Sequence, residues 1–316
     1  MKMGISDTFF LNKRVFITGG SGFIGQHLIR QLHACGAIIA IISREEKSDN
    51  NEIKHYIGDI RDLSFVKYCI HDFKPEHIFH LAAYKERNED IEAFYSSIET
   101  NLIGTLNVFS AAKNENGIES IVTLGTAEEY GKNMPPFNER LRESPVTPYS
   151  FSKVCVSHLA ELFFHLYHLP VVIIRPTLAY GPGQGTDMFL PSLITSLLEN
   201  KPFNMTSGEQ TRDFVYVTDI VKALILASRN RDAHGQIINI GSGVPIRLAD
   251  IAEKIERMLH KKGLVHLGGK AYRKNEIMEY CIDPEKAEVI LGWKATTSIE
   301  KGLAETIAYY RGVKGP

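Results

Sequence analysis

Tyr149 and Lys153 stand four residues apart, which puts both side chains on one face of a helix. A phenol with an unperturbed pKa near ~10 is a poor acid or base at neutral pH. A neighbouring ammonium favours the phenolate, and the positive end of a helix adds to that effect. Such a pair can pass a proton to or from a hydroxyl while a cofactor passes a hydride. The same spacing also arises from an ordinary aromatic–lysine contact, so its meaning depends on the rest of the chain. Thr126 strengthens it. This residue follows the apolar run Ser120–Leu124, in a loop from which its hydroxyl can hydrogen-bond the same oxygen.

A hydride donor must be held, and Thr18-Gly19-Gly20-Ser21-Gly22-Phe23-Ile24-Gly25 suits that task. It follows Val15-Phe16-Ile17 and opens the helix-like stretch Gln26–Leu32. Strand, glycine turn and helix together surround a pyrophosphate with backbone N–H groups and a helix N-terminus. In this reading Gly19 makes the tight turn, Gly22 lets the backbone approach the phosphates, and Gly25 lets helix and strand pack closely. The spacing is G-x-x-G-x-x-G, not the commoner G-x-G-x-x-G, and glycines that only turn a strand into a helix look the same.

The elements that position these groups follow in order. Ala37–Ile42 is an unalternated apolar run, as expected of a strand covered on both faces. It ends at Ser43-Arg44, with Glu45 and Glu46 beyond. A carboxylate at this point binds a ribose 2′-hydroxyl, whereas an arginine accommodates a 2′-phosphate. Ser43 and Arg44 therefore favour NADP over NAD, the plain alternative being that Arg44 is a solvated loop charge. A third strand, Lys54–Ile57, leads to Gly58-Asp59-Ile60. Asp59 either accepts from an adenine amino group or caps the next helix. Capping suits Asp62 better, because Leu63, Val66 and Ile70 follow at helical spacing. After the strand His77–His80, the small residues of Leu81-Ala82-Ala83 leave room for a ribose and nicotinamide. A long helix over Tyr95–Lys113 carries Asn101, a polar residue usually exposed at such a position, and Gly104, which signals close helix–sheet contact. A strong helix is expected over Val154–Tyr167.

Strands alternating with helices as far as Arg175 predict an α/β fold with a doubly wound parallel sheet. Beyond Pro176 the pattern is irregular. It predicts a smaller C-terminal lobe over residues 176–316, with segments at about 212–241 returning to the dinucleotide-binding domain of residues 1–175. Apolar residues form 44% of the 316, enough for a sizeable core, and 36 Lys+Arg against 37 Asp+Glu exclude a large basic face. Neither nucleic acid nor a membrane is an expected partner. Cys35, Cys69, Cys155 and Cys281 lie far apart, so a metal centre or disulfide frame is not expected. Residues 1–14 lack an apolar leader and no run approaches a membrane span, so a cytoplasmic protein is expected.

Taken together the motifs resemble the extended short-chain dehydrogenase/reductases that act on nucleotide sugars. The resemblance runs through Thr18–Gly25, Gly58-Asp59, His80–Ala83, Asn101-x-x-Gly104-Thr105, Thr126-x-x-x-Tyr130-Gly131, Tyr149-x-x-x-Lys153 and Arg175-Pro176. It continues through Arg212-Asp213-Phe214-Val215-x-Val217-x-Asp219 and Asn239-x-Gly241. It implies that Tyr149, Lys153 and Thr126 are catalytic and that Lys153 also holds the nicotinamide ribose. It implies a cofactor site made of Gly19, Gly22, Phe23, Ile24, Gly25, Ser43, Arg44, Asp59, Ile60, Leu81, Ala82 and Ala83 with Tyr149 and Lys153. It also implies that the smaller C-terminal lobe is substrate-binding: a nucleoside diphosphate sugar would meet Thr126, Arg212, Arg273 and Glu276, the arginines near its diphosphate. Two subunits would pair through the Tyr95–Lys113 and Val154–Tyr167 helices.

Within that family, Ser43-Arg44, Tyr272–Met278 and Leu291–Lys294 look like the reductases of 4-keto-6-deoxy sugar nucleotides, such as the abequose- and fucose-forming enzymes. An NADPH-consuming reduction of a C4 ketone is therefore the first expectation. Glu128 argues for a second. The 4,6-dehydratases carry Thr-Asp-Glu and the mannose-type dehydratases Thr-Ser-Glu, whereas this chain has Thr126-Ala127-Glu128. The glutamate that takes the C5 proton is present and the aspartate that protonates the leaving hydroxyl is absent. A solvent-facing loop acid is the plain alternative for Glu128. A 4-epimerase is the third expectation. A dinucleotide-binding regulator without catalysis would be expected to lose Tyr149, Lys153 or Thr126, and all are present.

Overall fold

The computed structural model describes residues 8–45, 52–86 and 89–313, so Glu46 lies outside the described residues. In chain order the elements begin β1 (Arg14–Thr18), α1 (Phe23–Ala34), β2 (Ile38–Ser43), β3 (Lys54–Ile57), α2 (Leu63–Phe73) and β4 (His77–His80). There follow α3 (Ile91–Ser97), a π-helical segment (Ile98–Ile103), α4 (Gly104–Ala112), β5 (Ser120–Leu124), α5 (Pro148–Tyr167) and β6 (Val171–Pro176). The remainder comprises β7 (Leu178–Tyr180), α6 (Phe189–Leu198), β8 (Phe203–Asn204), β9 (Thr211–Tyr216), α7 (Val217–Arg229) and β10 (Ile237–Ile240). Last come β11 (Pro245–Arg247), α8 (Leu248–Met258), β12 (Val265–His266), α9 (Glu285–Leu291) and α10 (Ile299–Val313).

The chain forms two units. One contains residues 1–129, 145–175 and 221–238, and the other residues 130–144, 176–220 and 239–316. The first unit is built on a seven-stranded sheet of order β10-β6-β5-β4-β1-β2-β3, the doubly wound α/β fold of Rossmann type. Its inner strands pair in parallel, with Thr18 level with His80 and His80 level with Thr123. Parallel strands need crossovers, and α1, α2, α4 and α5 supply them. The unalternated strands fit this: β5 and β6 are buried along their whole length. Phe16, Val66, Ile70, Val108, Ile121 and Ile173 share one core, each buried side chain stabilising by about 1.5–3 kcal/mol.

Local signals set the helix starts. The Asp62 carboxylate accepts from the N–H groups of Ser64 and Phe65, so Asp62 caps α2. Helix α5 starts at Pro148, earlier than the expected Val154, because Thr147 and Ser150 form a capping box with proline at the first helical position. The expected Tyr95–Lys113 helix starts at Ile91 and passes through a π-helical turn at Ile98–Ile103.

The second unit is not irregular throughout. It holds a three-stranded sheet, β11-β9-β7, and a parallel pair, β8 and β12. Its core joins Leu193, Ile194 and Leu197 of α6 to Ile251 and Ile255 of α8 and Leu303 and Ile307 of α10. The strands escape a sequence reading because most are two or three residues long. The short-range motif residues of this unit are anchors. Asp213 accepts from the backbone of Ser242 and Gly243, and Asp219 accepts from Thr296 and Thr297.

Candidate active site

The glycine turn joins β1 to α1. Gly19 has φ +70°, and a Cβ there would lie 2.6 Å from the amide nitrogen of Ala82, so only glycine lets the turn touch the Leu81-Ala82 segment that follows β4. A Cβ on Gly25 would press into the Gly19 carbonyl and lie 2.8 Å from Gly20 Cα, so α1 packs directly on the turn. Gly22 differs. It is exposed, and a Cβ there would meet only the Gly19 carbonyl, at 3.2 Å. Gly22 is also the N-cap of α1 and offers no side chain to the first-turn N–H groups. An open, uncapped helix N-terminus behind a glycine turn fits a dinucleotide pyrophosphate. Phe23 and Ile24 occupy the first turn, half-buried, with Phe23 edge-on to His27 at 5.7 Å.

At the end of β2 the buried Ser43 hydroxyl donates to the Glu45 carbonyl at 2.7 Å, which leaves Arg44 exposed. Asp59 neither caps a helix nor stands free. The Arg61 guanidinium binds its carboxylate at 2.7 Å and holds its pKa below the usual range, with Arg44 adding to the same effect. Ile60 is buried, and a Cβ on Gly104 would lie 2.6 Å from its Cδ1, so Gly104 brings α4 against the loop after β3. Leu81, Ala82 and Ala83 continue from β4, with Ala83 exposed.

The residues expected to be reactive are Thr126, just after β5, and Tyr149 and Lys153 on α5. Lys153 is 4% exposed, and its Nζ donates to the Leu124 carbonyl at 2.7 Å. Burial lowers its pKa to about 8, against the opposing pull of the Glu129 carboxylate. Thr126 stands two residues beyond Leu124, buried, its Oγ1 accepting from the Glu128 N–H at 3.2 Å. Tyr149, half-buried, lies one turn before Lys153 in the first turn of α5. Glu128 is half-buried and Ala127 fully buried.

A polar network behind these groups could not be read from the sequence. Asn101 is fully buried, contrary to the expected exposure. Its side-chain amide spans the backbone of Tyr84, accepting at 2.7 Å and donating at 3.0 Å, and also donates to Ser152 Oγ at 2.8 Å. The π-helical turn is the local departure that carries Asn101, a common feature of functional sites. His80 lies between Thr18 Oγ1, 2.7 Å from Nδ1, and Thr105 Oγ1, 2.9 Å from Nε2. Thr105 gives its proton to the Asn101 carbonyl, so His80 Nε2 must donate to Thr105 and Nδ1 must accept from Thr18. Burial pushes the pKa of this imidazole down to about 3. Glu129, one residue past the expected Glu128, is also buried and pairs with Arg175 at 2.6 Å. The one signal for His80 and Asn101 was a polar residue inside an apolar pattern, and Glu129, beside Glu128 in a polar loop, gave none.

In the second unit Arg212 is bound by the Glu276 carboxylate and donates to the carbonyls of Thr211 and Ile277 at 2.7 and 2.8 Å. Arg212 and Glu276 thus meet, while Arg273 is exposed in the same loop as Glu276. Both lie within one unit, as the cofactor-type residues and the Tyr149–Lys153 pair lie within the other.

Residues 15–241 match the profile of the NAD dependent epimerase/dehydratase family. The chain is 29% identical to a UDP-glucuronate 4-epimerase of Thermodesulfobacterium geofontis, over 92% of this chain and 94% of that protein. It is 28% identical to a probable dTDP-glucose 4,6-dehydratase of Sinorhizobium fredii, over 94% of this chain and 92% of that one. Among solved structures it is similar to a UDP-glucuronic acid 4-epimerase from Bacillus cereus in complex with UDP-glucuronic acid and NAD. That likeness has a TM-score of 0.87 and 25% identity, and covers 95% of this chain and 99% of the other.

Proposed function

The chain belongs to the NAD dependent epimerase/dehydratase family, enzymes of the extended short-chain dehydrogenase/reductase class, and from that premise we propose that it exchanges a hydride and a proton at C4 of a nucleoside diphosphate hexose. The observation that supports this reading is the anchoring of Lys153 Nζ on the Leu124 carbonyl, two residues before Thr126, with Tyr149 one helical turn before Lys153. A bound nicotinamide supplies or accepts the hydride. Gly19, Gly22 and the N-terminus of α1 would hold its pyrophosphate, and Ala82 and Ala83 would face its nicotinamide half. Tyr149 moves the proton at O4, Lys153 favours the phenolate, and Thr126 orients the same oxygen. In the other unit Arg212, Arg273 and Glu276 bind the nucleotide sugar, the arginines at the diphosphate.

Nothing beyond one proton carrier is required for 4-epimerisation with a retained cofactor. A 4,6-dehydratase of the Thr-Asp-Glu type also needs an acid for the leaving hydroxyl, and Ala127 is a buried methyl at that place. The relatives' names, 4-epimerases and 4,6-dehydratases alike, support retained-cofactor chemistry, and the missing acid at Ala127 puts epimerase ahead of a Thr-Asp-Glu dehydratase. NADPH-dependent reduction of a 4-keto-6-deoxy sugar nucleotide is the second reading. It rests on Arg44 at the end of β2, where a 2′-phosphate would sit.

The test is incubation with UDP-glucuronic acid, UDP-glucose and dTDP-glucose, with products followed by NMR and the nicotinamide absorbance by spectrophotometry. A C4 epimer with no net absorbance change is expected. A 4-keto-6-deoxy product would identify a dehydratase. Stoichiometric NADPH oxidation by a 4-keto-6-deoxy substrate would establish the second reading. Inertness toward all of these would sink the proposal.

We further propose a cytoplasmic homodimer formed through a helix bundle. Ile91 and Tyr95 of α3 and Leu162 and Leu166 of α5 are exposed apolar side chains, 50–65% accessible. Light scattering should give a dimer that Leu162→Glu weakens. A monomeric wild-type protein would refute it.

A further inference from the structure

Glu129 is buried to 0% exposure beneath the Thr126 loop, where a carboxylate needs a specific reason to be. Its Oε1 accepts the Thr126 N–H at 2.8 Å. Its Oε2 accepts from Ser157 Oγ on α5 at 2.7 Å and meets Arg175 Nη2 on β6, also 0% exposed, at 2.6 Å. One side chain thus grips the peptide of Thr126, the helix bearing Tyr149 and Lys153, and the neighbouring strand. Even the adjoining backbone is shaped around it, since a Cβ on Gly125 would lie 3.0 Å from Arg175 Cγ.

We propose that Glu129 is a positioning residue for this reaction: its buried carboxylate, braced by Arg175, ties the Thr126 peptide to α5 and holds the Thr126 hydroxyl in register with the Tyr149–Lys153 face. This rests on the reading of Tyr149, Lys153 and Thr126 as the catalytic set. Glu129 reaches Lys153 through the field as well. Burial in an apolar setting disfavours the ammonium, and the Glu129 carboxylate, whose own pKa burial raises while Arg175, Ser157 and the Thr126 N–H pull it back, opposes that loss. Among the described residues, the other groups facing Lys153 are the Leu124 carbonyl from β5, the neutral His80 from β4, and Tyr149 one turn earlier on its own helix. Arg175 balances the Glu129 charge from β6.

A lone substitution would strand a buried arginine charge, so the test uses two paired variants of the full chain. Glu129→Gln with Arg175→Gln keeps an acceptor for the Thr126 N–H and removes both charges. Glu129→Leu with Arg175→Leu removes the acceptor too. Thermal unfolding checks that each folds, NMR follows the Thr126 amide proton and the titration of 13C-labelled Lys153, and turnover is assayed with the sugar nucleotides above. In the glutamine pair the Thr126 amide signal should stay, while Lys153 titrates lower, because Glu129 and not Arg175 acts on it, and the alkaline limb of kcat follows it. In the leucine pair the amide signal should move upfield and kcat should fall at least about tenfold with KM little changed. Wild-type amide shift, Lys153 titration and kcat in a folded leucine pair would overturn the proposal. The NMR readouts need no substrate, so they decide the role of Glu129 even if the wild-type enzyme turns over none of the sugars and the functional reading falls.

Discussion

Asn101 Nδ2 lies 2.8 Å from Ser152 Oγ, and through that bond the π-helical turn before α4 grips α5 one residue before Lys153. The Ser152 hydroxyl in turn donates to the Tyr149 carbonyl at 2.7 Å. The same amide satisfies both backbone groups of Tyr84, just past the Ala82-Ala83 segment. Asn101→Leu would take their partner from the part-buried N–H and C=O of Tyr84, at up to about 1–3 kcal/mol each. Chemical denaturation should therefore show a clear loss of stability, and cofactor affinity should fall with it. Unchanged stability would mean that Tyr84 finds water in place of Asn101.

Tyr149 is the group expected to carry the proton. Tyr149→Phe should retain cofactor binding, because the ring remains, while kcat falls by about 10²–10⁴. Cofactor titration beside steady-state kinetics checks this. Near-normal turnover would assign the proton to another group.

The glycines of the turn should separate by function. Gly22→Val should weaken cofactor binding while leaving the melting temperature nearly unchanged, because a Cβ there meets only one atom of the fold, at 3.2 Å. Gly25→Val should instead lower the melting temperature, because its Cβ is driven into the Gly19-Gly20 backbone. The reverse pattern would misplace the pyrophosphate.

Arg44→Ala should weaken NADPH binding by about tenfold and leave NADH binding unaltered, since only NADPH offers a 2′-phosphate to the guanidinium. Fluorescence titration of both dinucleotides reads this directly. Equal losses for the two would remove the argument from Arg44.

His80 predicts an acid limit to stability. Its folded pKa, about 3, lies below the unfolded value of 6.5, so the unfolded chain binds the proton first as pH falls. The neutral ring's contribution is intact above about pH 6.5 and is lost toward pH 3, at up to ~1.4 kcal/mol per unit. Urea unfolding at pH 7 and pH 5 should show this slope, and His80→Gln should reduce it. An equal slope in the variant would shift the effect to His77, whose burial lowers its pKa to about 4.

The amino-acid sequence by itself determined the strand–glycine–helix opening, the parallel sheet, the capping by Asp62 and the Tyr149–Lys153 face. Each of these is a local pattern: a period, a turn requirement or an i,i+4 spacing, readable without knowing what lies across the fold. Only the tertiary structure decided which polar residues are buried and whom they serve. Asn101 and Glu129 look like surface residues in sequence because their partners, Ser152, Ser157 and Arg175, are 28 to 51 residues away or on another strand. A buried carboxylate or amide is tolerable only when its partners converge on it. That convergence is a property of packed elements, and it is why Glu128 stood out in the sequence while the structure gave Glu129 the buried place beneath Thr126.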